Sequence, residues 1–197
     1  MSSRPTNRTQ SGAYTLTWFT PALLLAALAT GCRADVGAPP RPPPDRQMAG
    51  LMEAVRWPGA DNAAAMSLAS RFMVTGRDEE GYRYFGELAA AAPERPLFLA
   101  LQGLFQARMA GQVFLLRRVA WVEEAAGRLD RAVSRDGGLS RVLRGLTLAR
   151  LPARFRRADD AVADLRWALT APDSPLQNGA PRNTADGLRR AAWQALA

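Results

Sequence analysis

The chain has 197 residues, 48% of them apolar, and a formal net charge of +8, which is enough for the core of one ordinary domain. It contains no His, Lys or Ile, all 26 basic residues are Arg, and there is a single Cys. An internal disulfide and a cysteine-cluster metal site are therefore excluded, and the usual general base and commonest zinc ligand are both missing. The all-arginine basic set reads as GC-rich codon usage, so a pI near 11.1 is no argument for a nucleic-acid partner.

In chain order, Arg4 and Arg8 form a basic start with no acid nearby, and Trp18-Phe19 lead into the apolar run Ala22 to Ala29. That run has the length of an export signal. A spanning helix needs about 20 apolar residues, whereas Pro21 and several threonines interrupt this stretch. Read from the residues alone, it serves as a cleaved signal or as an uncleaved anchor. Ala29-Thr30-Gly31-Cys32 resembles the lipobox of bacterial lipoproteins, although a large aliphatic residue is usual where Ala29 stands. The resemblance implies that residues 1–31 are a lipoprotein signal peptide and that Cys32 is the lipidated residue, holding the chain to a membrane through its acyl chains. The same resemblance implies a place in the cell envelope, facing outward from the cytoplasmic membrane or on the outer membrane, and Arg33, standing where an aspartate would retain the protein at the inner membrane, favours the outer membrane.

Residues 32–47 form the lipidated cysteine and a linker that includes Pro39-Pro40 and Pro42-Pro43-Pro44. Such proline density suits neither helix nor sheet and favours an extended, semi-rigid tether. Without residues 1–31 the charge is modestly basic, since residues 32–197 keep 24 Arg against 18 acids. A solvated mixed-charge surface is the simplest reading, with some leaning towards anionic surfaces such as headgroups.

Residues 48–197 read as an all-α domain. A short helix from Met48 to Arg56 ends at Trp57-Pro58-Gly59, and Asp61-Asn62 cap the next helix, Ala63 to Val74, which Gly76 closes. Asp78, Glu79 and Glu80 open a helix to Ala92, with acids at its positive end. Leu97 to Met109 is helical and ends at Gly111; a long helix from Val113 to Ser134 then carries an apolar stripe of Leu115, Val119, Val122, Ala126, Leu129 and Val133. Helices over Leu139–Leu151, Asp159–Leu169 and Ala185–Leu196 complete the domain, with a turn at Pro152 to Phe155 and a loop from Pro172 to Pro181. The last helix suits a cap, or a hairpin whose partner is missing.

Two stretches say the same thing twice. Leu97-Phe-Leu-Ala-Leu-Gln-Gly-Leu-Phe-Gln-Ala-Arg108 returns 42 residues later as Leu139-Ser-Arg-Val-Leu-Arg-Gly-Leu-Thr-Leu-Ala-Arg150. The leucines stack on one face of a helix and the glycine admits a neighbouring helix closely. The helices that pair with them share a small residue, a large apolar one four on and an apolar one three further: Gly81-Phe85-Leu88, Ala125-Leu129-Ala132 and Ala161-Leu165-Ala168. This resembles the second-helix pattern of the tetratricopeptide repeat. Gly103 fits the family's first-helix glycine, while Leu99 and Gln106 stand where its tryptophan and tyrosine would, and the spacing drifts from 44 to 36 residues. The resemblance implies a short tetratricopeptide-like solenoid of helical hairpins over roughly residues 61–170; an irregular helical bundle would show the same stripes.

No constellation points to chemistry. Asp159, Asp160 and Asp164 share one helix and Glu123-Glu124 another, but acids at helix starts complement the dipole and Glu124 to Arg128 is an ordinary i to i+4 pair. Arg154, Arg156 and Arg157 bracket Phe155, read as a solvated turn with the ring tucked inward; Trp57, Trp121, Trp167 and Trp193 read as packing residues. No catalytic residue, metal ligand or cofactor is assigned. Two function classes stand. The first is a membrane-anchored binding scaffold with a groove lined by first helices, where Gln102, Gln106 and Arg144 lie off the leucine stripe as candidate ligand contacts. Lipidation joined to such hairpins is similar to envelope lipoproteins that dock transporter or assembly machinery, including the TRAP-transporter-associated (TatT-type) tetratricopeptide lipoproteins. These carry a proline-and-phenylalanine turn like Pro152 to Phe155, though with glycine where this chain has Arg156. That resemblance implies an envelope protein or transporter subunit as partner. The alternative is an envelope enzyme, such as a cell-wall-cleaving helical domain using a lone buried glutamate, although Glu87, Glu123 and Glu124 show no such isolation in sequence.

Overall fold

The computed structural model describes residues 46–57, 59–177 and 182–196, all within one compact unit, residues 44–197. The signal segment, Cys32 and the proline-rich linker lie outside the described residues. Among the described residues the fold is all-α: α1 (Arg46–Arg56), α2 (Asn62–Val74), α3 (Asp78–Ala91), α4 (Pro96–Met109), α5 (Leu115–Arg135), α6 (Leu139–Leu148), α7 (Ala158–Thr170) and α8 (Arg182–Leu196). Short 3₁₀ turns at Ala110–Gln112 and Ala153–Phe155 join α4 to α5 and α6 to α7.

Local chemistry sets these boundaries. The Asp61 carboxylate accepts from the Ala64 backbone N–H at 2.8 Å, satisfying one of the free donors at the start of α2. The chain leaves α2 through Gly76 at φ 66°, a conformation costly for other residues. Arg77 pairs with Glu80 at 2.6 Å across the first turn of α3, and Pro96 opens α4, where its missing N–H costs nothing. Helix α6 stops at Leu148 rather than Leu151, because Pro152 disfavours helical geometry in the residue before it.

Consecutive helices pack as antiparallel neighbours, as short connections require. A second set of contacts skips one helix each time: α2 touches α4, α4 touches α6, and α6 touches α8. Helix α4 is thus flanked on both sides by α3 and α5 and carries the largest share of the core. The core around it is aromatic. Phe72, Phe85, Phe98 and Phe105 are fully buried, with Phe85 and Phe105 stacked at 5.8 Å and Phe72 edge-on to both. Each such side chain contributes about 1.5–3 kcal/mol on leaving water.

The repeated glycines sit at the tight crossings. A Cβ on Gly103 would lie 3.0 Å from the Ala125 carbonyl oxygen of α5, and one on Gly145 would lie 3.0 Å from Asp164 and Leu165 of α7. Gly81 faces the Phe105 ring at 2.8 Å in the same sense.

Three packing expectations need correction. Only the middle of the α5 stripe is buried, at Val122, Ala126 and Leu129; Val133 is half-buried, whereas Leu115 and Val119 are 65% and 45% exposed. The reason is length: α5 has 21 residues against 14 in α4 and 10 in α6, so its neighbours run out before its N-terminus does. Trp57 and Trp193 are exposed rather than packed, while Trp121 and Trp167 are half-buried. Phe155 is also only half-buried, with the Arg154 guanidinium 5.2 Å from its ring centre.

Candidate functional site

Where α4 and α6 run side by side, their C-terminal ends leave a cleft of about 290 Å³ lined by Leu104, Ala107, Arg108, Thr147, Arg150 and Leu151. Leu104 and Thr147 form a nearly sealed floor. The Thr147 hydroxyl is committed to the Leu143 carbonyl at 2.7 Å, the usual bond of a helical threonine to the preceding turn, so it is not a free nucleophile. Arg108 and Arg150 stand at the rim and occupy the same place in the two copies of the repeated stretch. Arg108 is held by Asp78 of α3 through two bonds, at 2.8 and 3.2 Å. Arg150 is exposed and makes no ion pair among the described residues. An apolar floor with a guanidinium rim accommodates an apolar side chain that carries a carboxylate or other anionic group beside it.

A second cleft of about 500 Å³ lies between α7 and α8, lined by Val162, Arg166, Leu169, Thr170, Trp193 and Leu196. It is the wider and more apolar of the two, but only one helix pair forms it.

The residues expected to line a groove occupy helix interfaces instead, and they do not meet. Gln102 is half-buried, with its amide over Gly86 of α3. Gln106 is fully buried. Its amide nitrogen donates to Glu124 at 3.1 Å, its amide oxygen accepts from Arg128, and its backbone carbonyl accepts from the Trp121 indole at 2.8 Å. Gln106 thus ties α4 to α5 and offers no surface to a ligand in this arrangement.

Arg144 sits in a buried ionic network. The Asp164 carboxylate, 1% exposed, accepts from Arg144 at 2.7 and 2.9 Å and from Arg141 at 2.9 Å. Arg144 also reaches Asp130 of α5 at 3.0 Å, and Arg157 joins Asp130 at 2.7 Å. Hydrogen bonding to Asp164 holds the Arg144 guanidinium even more firmly protonated than usual, against the opposing effect of burial. The bond to Asp130 does the same for Arg157. Such a network is paired and satisfied, which is the condition for burying charge without a large penalty.

Among the glutamates, Glu87 and Glu123 are exposed, and Glu124 is paired with Arg128 at 2.9 Å. Asp159 is exposed on the first turn of α7 and Asp160 is paired with Arg157 at 2.6 Å. The cleft residues Arg108 and Arg150 carried a visible signal, since Ala-Arg closes both copies of the repeat. No family model, curated protein or solved structure matches the chain.

Proposed function

We propose that this chain is a lipid-anchored protein of the bacterial envelope whose helical hairpins stack as a short tetratricopeptide-like solenoid and bind a protein or peptide partner, a transporter subunit among the candidates. The observation that carries this reading is the skipping contact pattern. First helices α2, α4, α6 and α8 each pack on the next, while second helices fill the spaces behind them. An array of that kind leaves a continuous surface along the first helices. The cleft between α4 and α6 opens on that surface, and its two rim arginines recur at the period of the repeat. Recurrence at one face is what an extended partner, contacting successive hairpins in the same way, requires. Support for anchoring comes from the sequence alone, through the resemblance of Ala29 to Cys32 to a lipobox.

The test is affinity purification of the tagged, full-length protein from detergent-solubilised membranes after mild crosslinking, beside Cys32→Ala and Arg150→Glu variants. Reproducible recovery of one envelope protein, lost in Arg150→Glu while the variant still folds, supports the scaffold and places its contact in the cleft. Recovery of nothing, with Cys32→Ala behaving as the parent, removes both docking and lipidation and leaves a small ligand or a cell-wall substrate to be sought.

A further inference from the structure

The first turns of α5 form the most exposed apolar patch of the described residues. Phe114, Leu115, Leu116 and Val119 are 71%, 65%, 82% and 45% exposed. Single exposed apolar residues are ordinary, but Val119 one turn along from Leu115 and Leu116, with Phe114 just before the helix, makes four together, which is not. The patch is held firmly in place. The Trp121 indole donates to the Gln106 carbonyl at 2.8 Å and its ring lies against Tyr82, while Arg118 folds back to the Gly111 and Val113 carbonyls. These bonds brace the loop and the helix start, so the apolar side chains are presented outward by a rigid mount.

Basic residues outnumber acids at this end, where Asp78 is taken up by Arg108, Asp160 by Arg157, and Asp159 is exposed at the start of α7. Between Glu94 and Glu123 there is no acidic residue. Arg117 follows Leu116 on the same turn, beside the apolar face rather than in it, exposed and without an ion pair among the described residues. The C-terminal ends of α4 and α6 meet in the cleft, and α5 starts five residues after α4 ends, so the turn after α6 belongs to the same end of the domain. That turn adds Arg150, Arg154 and Arg156, all exposed and likewise without ion pairs.

We propose that this end of the domain is a membrane-contact face, in which Phe114, Leu115, Leu116 and Val119 enter the interfacial layer of an anionic bilayer and Arg117 meets its headgroups. The proposal rests on the anchoring reading above. Apolar side chains beside arginine, at the start of an amphipathic helix, fit the layer where headgroups meet acyl chains. Among the described residues no helix is long and apolar enough to cross a membrane, so the contact is interfacial. Four side chains fall far short of the roughly 20–30 residues per side of a stable protein interface. A lipid surface needs no such area when the chain is already tethered to it, because docking is then intramolecular. The contact would fix which way the α4–α6 cleft faces.

The test uses the full-length lipoprotein reconstituted into phosphatidylglycerol–phosphatidylcholine vesicles, with one cysteine introduced as Leu116→Cys or Ser134→Cys and labelled with an environment-sensitive fluorophore. An acylated Cys32 does not react, and the parent chain serves as the labelling blank. Both positions lie on α5, about 27 Å apart at 1.5 Å per residue. Flotation with the vesicles reports anchoring, and quenching by nitroxide lipids reports contact.

The expected result is several-fold stronger quenching at position 116 than at 134. Quenching at 116 should fall about fivefold with Arg117→Gln, as the loss of one arginine's attraction to an anionic surface predicts, and further in pure phosphatidylcholine, where the attraction of every arginine at this end is lost. Vesicles that float with equal, weak quenching at both positions overturn the contact face and leave anchoring intact. Failure to float overturns both. Concentration-dependent self-quenching of the 116 label in detergent assigns the patch to a second copy of the chain and also overturns the proposal.

Discussion

The two copies of the repeated stretch use the same glycine and fill the space around it by opposite means. In the first copy Phe98 and Phe105 enter an aromatic stack with Phe85 and Phe72. The corresponding residues of the second copy are Ser140 and Thr147, both buried. Where the first copy has Leu99 and Gln102, the second has Arg141 and Arg144, which grip Asp164. The first copy is therefore packed by aromatic area against the preceding hairpin, which is tolerant of small shifts, and the second is gripped by directional charged bonds to its own hairpin partner, which are not. A shared backbone pattern does not imply a shared source of stability.

The largest expected effect tests that contrast directly. Arg144→Ala leaves Asp164 nearly buried with Arg141 alone and should cost about 3–5 kcal/mol, the usual penalty for breaking one side of a buried charged pair. Gln102→Ala, the matching change in the first copy, removes a half-buried amide near Gly86 and should cost less than about 1 kcal/mol. Equilibrium urea unfolding of both variants measures the difference. Equal losses would mean that the ionic network adds nothing beyond ordinary side-chain packing.

The glycines give a smaller and sharper test. Alanine at Gly103 meets a helical backbone carbonyl at 3.0 Å, and alanine at Gly145 meets the Asp164 and Leu165 side chains at the same distance. Overpacking costs about 1–3 kcal/mol, against about 1 kcal/mol regained from helix propensity, so each change should lose between about 0 and 2 kcal/mol. Their coupling should differ. Gly145→Ala presses on the carboxylate that Arg144 holds, so the pair should be non-additive, whereas Gly103→Ala with Arg144→Ala should add. Double-mutant unfolding reads this directly.

Much of the all-α order was legible because it depends on residues with local signatures. Asp61, Gly76 and the acids opening α3 mark helix ends, and glycine in a repeated leucine frame marks a close crossing. The ionic network was not, since Asp164 reads in sequence as one more acid near a helix start. Its burial depends on Arg141 and Arg144 arriving from another helix, which no local pattern encodes. Gln106 failed as a surface residue for the same reason, because Trp121, Glu124 and Arg128 of α5 enclose it. Leu115 and Val119 show the converse: helical periodicity identifies a face but not whether a neighbour is long enough to cover it. Arg156 gave no local signal either, since it adopts the left-handed φ of 52° that ordinarily selects glycine.

The smallest effect separates the two halves by pH. Burial pushes the Tyr84 phenol above its usual range, against the opposing influence of the nearby Arg56 guanidinium. The hydroxyl donates to the Met52 carbonyl, joining α3 to α1 on the aromatic side of the domain. A phenol is neutral when protonated, so a raised folded-state pKa means that the folded chain keeps this proton longer than the unfolded chain does. The contribution is fully present below the unfolded value near pH 10 and is lost as pH rises through the folded value. Urea unfolding between about pH 9 and 11 should therefore show a modest alkaline loss of stability in the parent. Tyr84→Phe should flatten that slope, while lowering stability by about 1 kcal/mol at neutral pH through the lost hydrogen bond. The ionic half should contribute little in this window, since Arg144 and Arg157 are held protonated above it. A slope unchanged by Tyr84→Phe, yet removed by Arg144→Ala, would place the alkaline sensitivity in the ionic half and reverse the contrast.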